Sequence, residues 1–275
     1  CAELKRDIPV IKNVSVWETD AANGSIYVAW YPPLADDLDT IGNPPPYKYE
    51  VYRELGASGA GGGAPVATFT NNTFTNFNDT SFIDTFLNTQ QNQYNYIIRF
   101  STGDGIGGEQ VLGDTENASS VFLNIGGSEN TLTLNWAETV PWTNFEYDVF
   151  WEFPRHSDTY VLLTTTTDPT YVMENLTNDT TYCFRVLSRG MYSSPDLTDT
   201  LLNYSQIDCE KPIDTVPPCP PSLAVDNLCD DEDDFVFVPG ELENILTWNN
   251  PNNSCADDVV SLSLIHISEP TRREG

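Results

Sequence analysis

Residues 176–186 read LTNDTTYCFRV: one leucine, five polar residues, then Tyr182, Phe184 and Val186 at every second position. Period-two spacing of large apolar side chains is the mark of a strand with one buried face, and the polar stretch before it has turn composition. The same plan recurs on both sides. Alternating runs follow one another as SIYVAW (25–30), YKYEVY (47–52), YNYIIRF (94–100), SVFLNI (120–125), TLTLNW (131–136), FEYDVFW (145–151) and NILTWNN (244–250). Between them lie PPLADDLD, the glycine-rich GASGAGGGAP (56–65) and the acidic DDEDD (230–234). No stretch carries a sustained helical period, so the expected class is all-β.

A larger unit repeats as well. Trp30, Trp136 and Trp248 each close an alternating strand and are followed within a few residues by proline. An aromatic-alternating strand comes next, YKYEVY in the first unit and FEYDVF in the second, then YNYIIRF or YCFRV. Three copies of one plan start near Pro9, Ile125 and Pro217.

These features resemble a fibronectin type III domain. Leu176, Thr180 and Tyr182 match the tyrosine corner of that fold, in which the leucine packs, the polar residues turn, and the tyrosine hydroxyl bonds backbone at the turn between sheets. In the first unit Leu87 lies seven residues before Tyr94 rather than six, which predicts a bulge or longer turn. The resemblance implies tandem β-sandwiches whose structural core holds Trp30, Trp136, Trp248, Tyr94, Leu176 and Tyr182. The expected divisions are 1–8 as the end of a preceding domain, 9–125 and 126–213 as repeats one and two, and 214–260 as a truncated third repeat. Residues 261–275, SLSLIHISEPTRREG, are set apart as a non-native tail because they resemble a translated sequencing-adapter read-through; the alternative is the third strand of the third unit.

Charge narrows the partners. The 275 residues include 41 acidic and 12 basic side chains, a formal charge of −29, which repels phosphate backbones and anionic lipid alike. Nucleic acid is therefore not expected as a partner. No apolar run reaches the length of a membrane span, so no membrane insertion is expected within these residues.

Six cysteines point to disulfides in an oxidising compartment, with fifteen possible pairings. Cys183 and Cys209 occur together in the second unit and not in the first, where Asn95 stands at the position of Cys183; they form the first candidate pair. Cys229 and Cys255 flank the Trp248 strand and form the second. Cys1 reads as the tail of a preceding domain or, alternatively, as the acylated first residue of a lipoprotein.

No residue presents itself as a catalyst. GDGIGG (103–108) satisfies a dinucleotide glycine pattern but lacks the helix that would carry a pyrophosphate, and reads as a hairpin loop. His156 has no nucleophile motif around it and no second zinc ligand nearby. Acids on the strands are expected to point outward into solvent. No cofactor is expected beyond loosely held Ca²⁺, for which Asp230, Asp231, Glu232, Asp233 and Asp234 are the candidates, without the spacing of an EF-hand. Trp17, Trp142, Trp151 and Tyr192 have two readings, a sugar-stacking face or core aromatics.

The cysteine-bearing joints and the acidic, Asn- and Thr-rich composition narrow the resemblance to surface proteins of gliding, type IX-secreting bacteria. These carry long fibronectin repeats and end in a gliding-motility-associated C-terminal domain. That implies a secreted or cell-surface spacer and adhesive region, stiffened by short proline-rich joints, whose partner is an extracellular protein or polysaccharide. The alternatives are the accessory region of a secreted hydrolase and the ectodomain of a membrane sensor.

Overall fold

A computed structural model describes residues 8–34, 38–103, 108–215, 221–227 and 244–249. It contains no α-helix among these residues. The chain up to Asp214 forms one compact unit, built from two sandwiches.

The first sandwich uses β1 (Val10–Glu18), β2 (Gly24–Tyr31), β3 (Tyr47–Leu55), β4 (Ala67–Asn71), β5 (Ser81–Leu87), β6 (Tyr94–Thr102), β7 (Gln110–Asp114) and β8 (Ala118–Ser119). One sheet has the order β1-β2-β5; the other runs β4-β3-β6-β7, with β8 also on β6. The second sandwich uses β9 (Phe122–Ser128), β10 (Thr131–Ala137), β11 (Thr143–Glu152), β12 (Tyr160–Thr166), β13 (Thr170–Met173), β14 (Tyr182–Met191), β15 (Leu201–Tyr204) and β16 (Asp208–Glu210). Its sheets repeat the plan as β13-β10-β9 and β12-β11-β14-β15, with β16 also on β14. All pairings are antiparallel. Three strands facing four, with the third strand beside the sixth and the first beside the second, is the fibronectin type III arrangement. The fold is thus a tandem of such sandwiches.

Alternation explains the burial. Tyr47, Tyr49 and Val51 of β3 face inward against Tyr96, Ile98 and Phe100 of β6, and all six are buried. Trp30 meets Tyr49 edge-on at 5.5 Å and 69°, and Trp136 meets Tyr147 at 5.3 Å and 63°. Both indole N–H groups are buried without a hydrogen-bond partner among the described residues, so each tryptophan contributes by apolar burial and ring contact.

The tyrosine corner forms twice. In the second sandwich the Thr177 amide donates to the Tyr182 hydroxyl at 3.2 Å while Leu176 is buried and Tyr182 half-buried. In the first, the Asn88 amide donates to the Tyr94 hydroxyl, also at 3.2 Å, beside the buried Leu87. The extra residue there is taken up by a wider turn in which the Asn92 amide reaches the Asn88 carbonyl. In both copies the residue before the leucine has positive φ, Phe86 at 61° and Asn175 at 60°.

Four expectations change. The strand Phe122–Ser128 pairs with β10, so the chain crosses between sandwiches at the buried Ser120 and Val121, not after residue 125. That joint has no proline. Strand-borne acids do not all face solvent: Asp84 and Asp148 are buried, bonded to Arg53 at 2.8 Å and to Arg189 at 2.5 Å. An arginine, Arg53 from the opposite sheet in the first sandwich and Arg189 from the paired strand in the second, compensates a carboxylate that burial would otherwise penalise. Finally, Trp248 is 47% exposed rather than core, on the two-stranded ribbon of β17 (Leu223–Asn227) and β18 (Asn244–Trp248). Most of the proposed third repeat, the 261–275 tail, Asp230–Asp234, Cys229 and Cys255 lie outside the described residues.

Candidate functional site

The two sandwiches meet along a seam of side chains that reach backbone groups of the other repeat. Asn203, on β15, accepts from the Val14 amide at 2.9 Å, and the Ser15 hydroxyl of β1 accepts from the Tyr204 amide at 2.9 Å. Arg185 donates to the Val16 carbonyl at 2.7 Å, Tyr192 to the Ile11 carbonyl at 2.7 Å, and the Ile207 amide to Thr19 at 2.8 Å. Trp142 and Leu201 of the second sandwich are buried in the same apolar cluster as the core of the first. A strand edge left open invites pairing with another chain; here the outer edge of β1 is bonded through side chains instead of a ladder. Asn203, also an Asn-x-Ser acceptor, is fully buried by this role.

Beside the seam opens a groove of about 360 Å³. Trp17 and Tyr27 of the first sandwich form one wall, their rings 6.2 Å apart and tilted by 51°. Arg185, Leu202 and Tyr204 form the other, with Asn13, Ser15 and Val16 at the base. The Trp17 indole is 65% exposed. The Arg185 guanidinium lies 4.0 Å from the centre of the Tyr204 ring and donates from Nε to the Ser205 carbonyl at 3.3 Å. Burial pulls its pKa below the ordinary value, opposed by Tyr204 and Tyr160. Among the described residues no Asp or Glu lines the groove.

A second polar group, half-buried, sits on the second sandwich between β10 and β11. Glu138 accepts from Asn144 Nδ2 at 2.5 Å and from the Ser188 hydroxyl at 3.3 Å, while Asn144 Oδ1 accepts from the Trp142 indole at 2.9 Å. Burial raises its pKa from 4.5 to about 7, against hydrogen bonds from Ser188, Tyr147 and Asn144.

The remaining candidates separate. Cys183 and Cys209 are joined by a disulfide across β14 and β16, with their Cα atoms 4.0 Å apart. The four aromatics do not form one face: Trp142 is buried against Tyr192 at 5.8 Å, Trp151 stacks on Phe153 at 5.2 Å, and Trp17 alone opens into the groove. Gly103 and Gly108 lie between the antiparallel β6 and β7, as a hairpin loop requires; residues 104–107 lie outside the described residues. His156 is exposed in a turn with φ 60°. Among the described residues no three His, Cys, Asp or Glu side chains are grouped to hold a metal ion, and no helix is long and apolar enough to cross a membrane.

Comparison with known proteins adds little to this geometry. No protein-family model matches the chain, and no curated protein matches it. Among solved structures it is similar to the crystal structure of chicken CNTN1 FN1-FN3 domains, at 14% identity over 76% of this chain and 69% of that one, with a TM-score of 0.27. The class follows from strand order instead: a tandem of fibronectin type III-like sandwiches.

Proposed function

We propose that this chain is a non-catalytic spacer and adhesive region of a large secreted or cell-surface bacterial protein, of the fibronectin-repeat kind found in type IX-secreted surface proteins. The observation that carries the reading is the Cys183–Cys209 disulfide on a sandwich fixed side chain by side chain to its neighbour. Disulfides persist outside the reducing cytoplasm. A seam of hydrogen bonds holds two modules in one orientation, which suits a part that must present a surface rather than turn over a substrate. The charge of −29 keeps such a part soluble and resists self-association.

Surface labelling tests the reading. Antibody against the purified chain is applied to intact and to lysed source cells, and the thiols are titrated without prior reduction. Accessible epitope on intact cells with Cys183 and Cys209 unreactive is the expected result. Epitope seen only after lysis, or free thiols at both positions, contradicts it.

A further inference from the structure

Arg185 is an anomaly in a chain this acidic. With 41 carboxylates available, none lies within ion-pair distance of its guanidinium among the described residues. Its bonds go to two neutral carbonyls, Val16 and Ser205, which occupy Nε and one N–H of Nη2. Five donors in a planar fork leave three unused. The hydroxyls of Tyr27 and Tyr204 likewise have no hydrogen-bond partner among the described residues, and Asn13 uses only its amide nitrogen, toward Leu202 and Asn203. A groove with an exposed indole, spare hydroxyls and a half-used cationic fork has the makings of a ligand site.

We propose that this groove binds a carboxylate-bearing saccharide, its pyranose face laid on Trp17 and its carboxylate on the free edge of Arg185. The assignment rests on reading the chain as an extracellular interaction region and names the ligand class. Sugar rings present apolar C–H faces that pack on aromatic rings, with hydroxyls at the rim for groups such as those of Tyr27 and Asn13. The cavity lies at the small end of the ~300–1,000 Å³ range of ligand pockets, which suits one or two sugar units. A planar guanidinium matches a carboxylate by two parallel hydrogen bonds. An extended peptide fits less well: strand addition needs open backbone groups, and the β1 edge here is already bonded to Asn203 and Arg185. The overall negative field does not forbid an anion, since it is screened over about 8 Å at physiological salt while Arg185 acts at contact.

The test titrates the purified full chain with tetragalacturonate and, in parallel, with maltotetraose and tetraglutamate, following the Trp17 and Arg185 side-chain N–H signals by NMR. Tetragalacturonate is expected to shift both signals, and added salt to weaken it. Maltotetraose is expected to bind about tenfold more weakly, and Trp17→Ala, exposed enough to leave the fold intact, to lose about tenfold in affinity. Equal binding of maltotetraose removes Arg185 from the site. Tetraglutamate shifting the same signals overturns the saccharide class, and binding that survives Trp17→Ala or leaves both signals unmoved overturns the groove. Because the measurement is made on purified protein, its failure is separable from failure of the surface-labelling test.

Discussion

Asn95 and Cys183 occupy equivalent places in the two sandwiches: Asn95 lies opposite Ser119 on β6 and β8, as Cys183 lies opposite Cys209 on β14 and β16. One repeat ties its last strand by a covalent bond. In the other the side chain turns to the loop after β3, donating to the carbonyls of Glu54 and Gly56 and accepting from the Ala60 amide at 2.8 Å. The fully buried Asn95 thereby anchors a glycine run whose Gly56, Gly59 and Gly61 all have positive φ.

Asn95→Ala therefore leaves three backbone groups unpaired beneath that loop. The expected cost is about 1–3 kcal/mol in denaturant unfolding, with new protease cleavage between residues 56 and 65.

Removing the disulfide by Cys183→Ser with Cys209→Ser opens a link across 26 residues of sequence separation and is expected to cost about 2–4 kcal/mol. Reduction of the native protein should lower its melting temperature to that of the double variant. No change on reduction would mean that the bond does not form.

Phe86 is 81% exposed and held at φ 61°, where a bulky residue is disfavoured and its counterpart Asn175 is tolerated. Phe86→Asn is expected to stabilise the protein by about 0.5–1 kcal/mol, read as a rise in the urea midpoint at unchanged slope.

Glu138 gives stability a pH dependence of definite sign. Its folded pKa, about 7, stands above the unfolded 4.5, so the native state holds the extra proton between those values and stability falls as pH rises through that window. Glu138→Gln keeps an acceptor for Asn144 without the partly desolvated charge. It is expected to stabilise the protein by on the order of 2 kcal/mol at about pH 8 and by little at about pH 4. Equal effects at both pH values would place the carboxylate in solvent.

Much of the sandwich was legible because its signals are local. The alternation of YKYEVY and YNYIIRF, the two core tryptophans and the Leu176–Tyr182 corner each reflect contacts made within one repeat. The boundary was harder. The closing strands of the first repeat, Gln110–Asp114 and Ala118–Ser119, are short and weakly apolar, whereas Phe122–Ile125 alternates strongly and opens the next repeat. Asp84 and Asp148 read as solvent-facing because no sequence period shows that Arg53, in the opposite sheet, and Arg189, on the paired strand, are placed to pair them. Nothing local marks the seam, since Val14 and Asn203 lie 189 residues apart and one partner in each contact is a backbone group of unexceptional sequence. The groove beside it was invisible for the same reason; Trp17 stood out only as one of several aromatics.

The seam fixes the two repeats to each other, and hydrogen exchange at the Val14 amide reads that contact at a single bond. That amide donates to a side chain of the other repeat, the fully buried Asn203. Strong protection is expected at Val14 in the native chain and its loss, with little change at Ile98 in the first core, in Asn203→Ala. Exchange at the rate of an open amide in the unaltered chain would mean that Asn203 does not hold the β1 edge.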